Sequence, residues 1–238
     1  MHVRFLRISI DKHEIVRKIE KYAPLELAEN WDCSGWTVNT CKCDVKKVML
    51  ALTVTEDIIK QAREKNCDMI ISHHPLFFVP LSWCDIDIYS AHTNMDRTEG
   101  GTTDKLINSL GLEKAANIGD FVRLVSLDNE MNIQDFIKIL KKFSPDLRYV
   151  NNYNKKTLKK IAFCAGSGSE FIPEAFEYGA DAFVTGDLKF HTALESPIIV
   201  FDIGHFESEI MILDVFENIL SDGIEVIKAV ERSPFISI

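Results

Sequence analysis

Residues 47–75, KVMLALTVTEDIIKQAREKNCDMIISHHP, decide the fold. The opening nine, Lys47 to Thr55, are an apolar, β-rich run of the kind that forms a buried strand in a parallel sheet. EDIIKQAREKN follows and sets Ile58, Ile59 and Ala62 on one helical face. CDMIISHHP is a second apolar strand, stopped by Pro75. The succession predicts a β-α-β unit.

The same arrangement returns at residues 160–187, KIAFCAGSGSEFIPEAFEYGADAFVTGD. Lys47 to Asp68 is 21 positions, and so is Lys160 to Asp181. In that register His73 falls opposite Gly186 and His74 opposite Asp187. Equal spacing between matching Lys and Asp ends points to internal duplication, with two similar α/β halves facing each other. After the first unit come IDIYSAHTNMD, a Gly100-Gly101 break and the helix TDKLINSL. After the second come the helix LKFHTALES, the strand PIIVFDIGH, the helix FESEIMILDVFENIL and the strand IEVIKAV. The stretch between holds FVRLVSL, NIQDFIKILKKF and LRYV and reads as a short connector. The expected organisation is a first half over 1–114, a connector over 115–158 and a second half over 159–238. The fold class is α/β, with mixed, mostly parallel sheets flanked by helices.

Bulk properties narrow the function. The 238 residues are 46% hydrophobic and 26% charged, ordinary for a globular chain with a sizeable core. A net charge of −9 argues against nucleic acid and against an anionic membrane as partners. The lysines between 138 and 160 read as solvated helix and turn residues. Six cysteines without a CxxC pair give no disulfide framework. The first residues, MHVRFLRISIDKHE, lack a secretion signal, and no apolar run reaches the ~20 residues a membrane helix needs. A cytoplasmic location is the expectation.

Ligands in open α/β sheets bind beyond the carboxyl ends of the strands. Three such ends carry unusual polar residues: Ser72-His73-His74-Pro75, Ala91-His92-Thr93-Asn94-Met95-Asp96, and Gly204-His205-Phe206-Glu207-Ser208-Glu209. His73 and His74 reach one side only if the strand has ended, and then suit two different ions better than one. His205 and Glu209 stand at i and i+4, on one face of a first helical turn, where they can hold a metal from one wall. Glu207 points elsewhere on that helix. Asp96 adds a carboxylate, which unlike a neutral imidazole can bridge two cations. Three imidazoles and two acids make a nitrogen/oxygen shell suited to Zn, Mn, Fe or Co. Two such ions per chain would form a hydrolytic pair.

Taken together, NWDCSGW, ISHHPLFF, SAHTNMD, TGDLKFH and DIGHFESE resemble the NIF-three-like family of dinuclear metal-centre proteins, whose members are often labelled GTP cyclohydrolase type 2 homologues. The motifs occur in the family's order and span nearly the whole chain. The resemblance implies metal ligands at His73, His74, Asp96, His205 and Glu209, a duplicated α/β fold, and a homohexameric ring with the metal sites facing a central cavity. It also implies a short form without the extra domain of longer members. Cys33 stands where many relatives carry Asn. His191, after Gly186-Asp187, is a candidate catalytic acid or base. Asp32 is a candidate acceptor behind a ligand. The amides of Ala165–Ser169 could hold an anion.

Two functions follow as expectations. One is a metal-dependent hydrolase acting on a small molecule, GTP by ring opening or a phosphoester. The alternative is a non-catalytic metal-binding adaptor or regulatory protein. No guanine-reading NKxD signature and no P-loop is present.

Overall fold

A computed structural model describes residues 9–113 and 115–236. The signal-peptide reading of the first eight residues, and the ends of the sequence-derived halves at 114 and 237–238, therefore lie outside the described residues. In chain order the strands are β1 (Ile10–Asp11), β2 (Gly35–Val38), β3 (Asp44–Val45), β4 (Lys47–Thr53), β5 (Met69–His74), β6 (Asp87–Ser90), β7 (Ala115–Asn117), β8 (Arg123–Asn132), β9 (Arg148–Val150), β10 (Thr157–Phe163), β11 (Ala182–Thr185), β12 (Ile199–Asp202) and β13 (Glu225–Lys228). The α-helices are α1 (Lys12–Tyr22), α2 (Glu56–Glu64), α3 (Thr93–Arg97), α4 (Thr102–Ser109), α5 (Ile133–Leu140), α6 (Ile172–Glu177), α7 (Phe190–Glu195), α8 (His205–Glu209) and α9 (Ile212–Leu220).

The chain divides into two units, residues 1–98 with 212–231 and residues 99–211 with 232–238. In the first, a five-stranded sheet runs β13-β4-β5-β6-β2. Its first four strands are parallel and β2 closes the edge antiparallel. Met49, Ala51, Ile70 and Ile88 form a buried cluster with Ile58, Ile59 and Ala62 of α2. Helices α1 and α9 pack against each other, and α9 against β4. These strands read as continuous apolar runs because both sheet faces are covered.

In the second unit the order is β7-β8-β10-β11-β12-β9. Here β10, β11 and β12 are parallel, and β7, β8 and β9 are antiparallel additions. The stretch expected as a connector over 115–158 supplies three strands of this sheet, β7, β8 and β9, with α5 buried on it through Ile133, Phe136 and Leu140. The expected helix FESEIMILDVFENIL is two, α8 and α9, interrupted at Ile210–Met211 where one unit ends and the other resumes.

The 21-residue spacing has a local cause that recurs in each unit. Asp68 accepts hydrogen bonds from the amides of Lys46 and Lys47 at 2.8 and 3.1 Å, and its own amide donates to Lys47 O at 2.9 Å. Asp181 does the same with Lys159 and Lys160 at 2.6 and 2.8 Å, and donates to Lys160 O at 2.8 Å. Each aspartate locks the start of one parallel strand to its neighbour. The lysines match too: Lys47 Nζ reaches Lys65 O, and Lys160 Nζ reaches Tyr178 O. Beyond the third parallel strand each unit carries a five-residue helix, α3 after β6 and α8 after β12. These short helices carry Asp96 and Glu209.

Candidate metal centre

In the first unit His73 and His74 end β5, next to Pro75. Their rings lie 5.0 Å apart, and His92, just before α3, is 5.3 Å from His73 and 5.6 Å from His74. One ligand nitrogen from each of the three falls within 4.8 Å of the others. Asp96 of α3 joins them, its Oδ1 3.5 Å from His73 Nε2. In the second unit Glu209 Oε2 lies 2.9 Å from His205 Nε2, the pairing that the i, i+4 spacing implied.

Every one of these imidazoles is anchored at Nδ1. His73 Nδ1 lies 3.0 Å from the carbonyl of Ala91, His74 Nδ1 2.6 Å from Thr53 Oγ1, His92 Nδ1 2.9 Å from Asp32 Oδ1 and His205 Nδ1 2.7 Å from Asp187 Oδ2. A carbonyl or carboxylate only accepts, so Nδ1 of His73, His92 and His205 carries a hydrogen. In the neutral ring the lone pair then sits on Nε2. Outer partners of this kind fix ring orientation and tautomer at metal sites. These histidine and acidic clusters have the chemistry to hold a metal ion, and thiolates are not part of them.

Asp32 is buried in this role. Burial pushes its carboxyl up, but hydrogen bonds from Thr93, Ser34 and His92 outweigh that and hold it below the ordinary carboxylate range. Opposite effects meet at His205: the hydrogen bond to Glu209 raises it, burial opposes, and Asp187 adds to the rise, pushing the imidazole up to about 9. Neither His92 nor Asp187 was assigned a ligand or partner role from sequence. The signal for the first was its place at the end of β6, matching Gly204 at the end of β12. The second takes a left-handed backbone, φ 53, that turns it toward His205, and no sequence pattern announces that conformation for an aspartate.

His191 lies on α7, exposed, with its ring 5.3 Å from that of Phe190. Beside His205 the second unit has a cavity of about 290 Å³ lined by Arg148, Asp187, Asp202, Glu207 and Phe235 among others, without His191. Three amides of the glycine-rich turn donate within the protein. Ala165 N donates to Thr103 Oγ1, Gly166 N to Ser208 Oγ and Gly168 N to Thr185 Oγ1. The turn brings backbone close against the Glu209 side chain. Gly166 has φ 67, and a Cβ there would lie 2.1 Å from Glu209 Oε1. Gly166→Ala should therefore cost roughly 1–3 kcal/mol in backbone strain and displaced neighbours. It should also weaken metal binding at Glu209 about 10–100-fold, as loss of an outer partner does. Thermal melting and metal titration of the variant check both; unchanged metal affinity would refute the contact.

Comparison with known proteins agrees with this fold. The family model of Duf34/NIF3 (NGG1p interacting factor 3) matches residues 10–234, and the chain belongs to that family. A "GTP cyclohydrolase 1 type 2 homolog" of Clostridium perfringens is 34% identical, with 94% of this chain and 98% of that one covered. "NIF3-like protein 1" of Drosophila melanogaster is 27% identical over 94% of this chain and 88% of its own. Among solved structures, reduced HcgD from Methanocaldococcus jannaschii is 28% identical, with a TM-score of 0.81 over 93% of this chain and 98% of its own. A Bacillus cereus protein related to NIF3 shares the fold at 20% identity, with a TM-score of 0.86 over 97% and 99%. Among the described residues no helix is long and apolar enough to cross a membrane.

Proposed function

We propose that this chain is a metal-dependent hydrolase that holds two divalent transition-metal ions. His73, His74, Asp96, His205 and Glu209 are assigned as the metal ligands. The observation that carries the reading is that the three assigned imidazoles, His73, His74 and His205, are each anchored at Nδ1, which leaves Nε2 as the other ring nitrogen. A pair of such ions supplies an activated water and steadies negative charge that develops on the substrate. Of the protein's own groups, Asp32 keeps His92 oriented, Asp187 keeps His205 oriented, and Asp96 and Glu209 bring the negative charge that divalent cations need. His191 is assigned to proton transfer at the substrate. The substrate is a small molecule, GTP or a phosphoester, in keeping with the names of the relatives, and the working form is a cytoplasmic homohexamer.

A second reading, a non-catalytic metal-binding adaptor, has the family's description as an interacting factor in its favour. One set of assays separates the two. Protein purified without chelator or His-tag should carry about two transition metals per chain by elemental analysis. Loaded with Mn or Zn it should turn over GTP or a model phosphoester, and Asp96→Ala should abolish that turnover. Metal without turnover favours the adaptor; far less than one metal per chain ends both.

A further inference from the structure

The loop 27–34 has little regular structure, yet it is fastened to α3 and its approach at several points. Arg97 donates to Leu27 O at 3.0 Å and pairs with Glu29 at 2.5 Å. Glu29 N donates to Thr93 Oγ1 at 2.9 Å. Asp32 accepts from Thr93 N, Thr93 Oγ1, Ser34 Oγ and Cys33 N. On this clamped loop Trp31 is 62% exposed. Its edge-on neighbour is His92, with ring centroids 6.1 Å apart and planes at 75°. His92 in turn lies against His73 and His74. A large apolar ring is thus held in solvent beside the histidine cluster by a loop that spends its polar groups on fixing it.

The geometry points to Trp31 as the platform on which the substrate's flat ring stacks, and hence to a substrate built on a planar nitrogen heterocycle of purine size. The inference rests on the metal-centre reading, since it places the reacting ring next to those imidazoles. An indole is bicyclic, so a fused heterocycle of similar size gives the largest overlap, and every such ring offers a π-face without needing hydrogen-bond readout. This also explains how a chain without a guanine-reading motif could select a base: by the shape of its ring and not its edge. Tethering of the loop limits the ordering required when the ring arrives.

Guanosine and ribose 5-phosphate, as ring and ringless probes, test the inference by calorimetry on the metal-loaded full chain, with metal content measured on the same samples. Trp31→Ala should weaken guanosine about 5–150-fold, the range that stacking on an aromatic side chain supplies. Trp31→Phe should stay within a few fold of the unsubstituted chain, and ribose 5-phosphate should bind all three alike. Guanosine should quench tryptophan emission in the unsubstituted chain and lose that quench in Trp31→Phe, which still carries Trp36 and Trp83. Equal guanosine affinity in Trp31→Ala, or no preference of the unsubstituted chain for guanosine over ribose 5-phosphate, overturns the platform. If Trp31→Ala fails to fold, an unchanged quench in Trp31→Phe overturns it instead. Trp31-dependent guanosine binding by a chain that carries no metal would keep the platform and discard the metal reading.

Discussion

Lys12→Met should destabilise the first unit by about 3–5 kcal/mol, the cost of leaving one member of a buried ion pair alone. Lys12 opens α1 and Asp87 opens β6, and their side chains are 1% and 2% exposed. Lys12 Nζ lies 3.0 Å from Asp87 Oδ1 and donates to Thr40 O at 2.6 Å. Thr40 returns two bonds to the same carboxylate, from its amide at 2.6 Å and its hydroxyl at 3.1 Å. The ring of Trp36 sits 5.2 Å below the ammonium. A methionine keeps the stem and removes the charge, so Asp87 keeps Thr40 but loses the ammonium that pairs with it, deep in a low-dielectric site. The double variant Lys12→Met/Asp87→Leu should recover much of the loss, because replacing both partners with apolar groups is often near neutral. Chemical denaturation of the two variants measures the difference. A single variant within about 1 kcal/mol of the unsubstituted chain would mean that the pair is solvated and carries little.

That ion pair shows where sequence reading stops. The β-α-β repeat was legible because its cause is local: an apolar run, an amphipathic helix and an aspartate that locks the next strand, at one spacing in both units. The i, i+4 pair His205 and Glu209 was legible for the same reason. Helix α1 also had its signals in plain view, Asp11 capping the amide of His13 and Ile15, Val16 and Ile19 on one face, but its motif-poor sequence drew no assignment. The division into units was not legible, because residues 212–231 return to the first sheet by β13 pairing with β4, a contact 178 residues apart along the chain at Glu225 and Lys47. Nor was the role of 115–158, since short strands such as Ala115–Asn117 and Arg148–Val150 are specified by their neighbours across the sheet and carry almost no pattern of their own. The partners of the histidines divide likewise. Asp32 was suggested by its motif, whereas Ala91 O, Thr53 and Asp187 became partners only through strand register and a left-handed turn.

Glu209→Gln should cut metal affinity at pH 9 by more than the 10–100-fold that loss of an outer partner costs, because it removes both the charge and a ligand oxygen. The pH dependence gives the sharper test. In the metal-free chain His205 is held protonated up to about pH 9, first by its hydrogen bond to Glu209 and then by Asp187. A metal must displace that proton before it can take Nε2. Affinity should therefore rise about tenfold per pH unit from roughly 7 to 9 and level off above. The sign for folding runs the other way. A raised imidazole stabilises the metal-free fold fully below its ordinary value of 6.5, and that contribution is lost as pH rises through about 9. Solvent screening keeps it modest, as the His205 side chain is 34% exposed. Glutamine at 209 removes the main cause of the rise, so the slope of metal affinity between pH 7 and 9 should flatten even as the affinity itself falls. The melting temperature of the metal-free variant should also lose its dependence on pH over the same interval. Competition with a chromophoric chelator at pH 7, 8 and 9 reads the slope. If the variant binds metal as tightly as the unsubstituted chain, or with the same slope, then Glu209 is neither a ligand nor the group that holds the proton on His205.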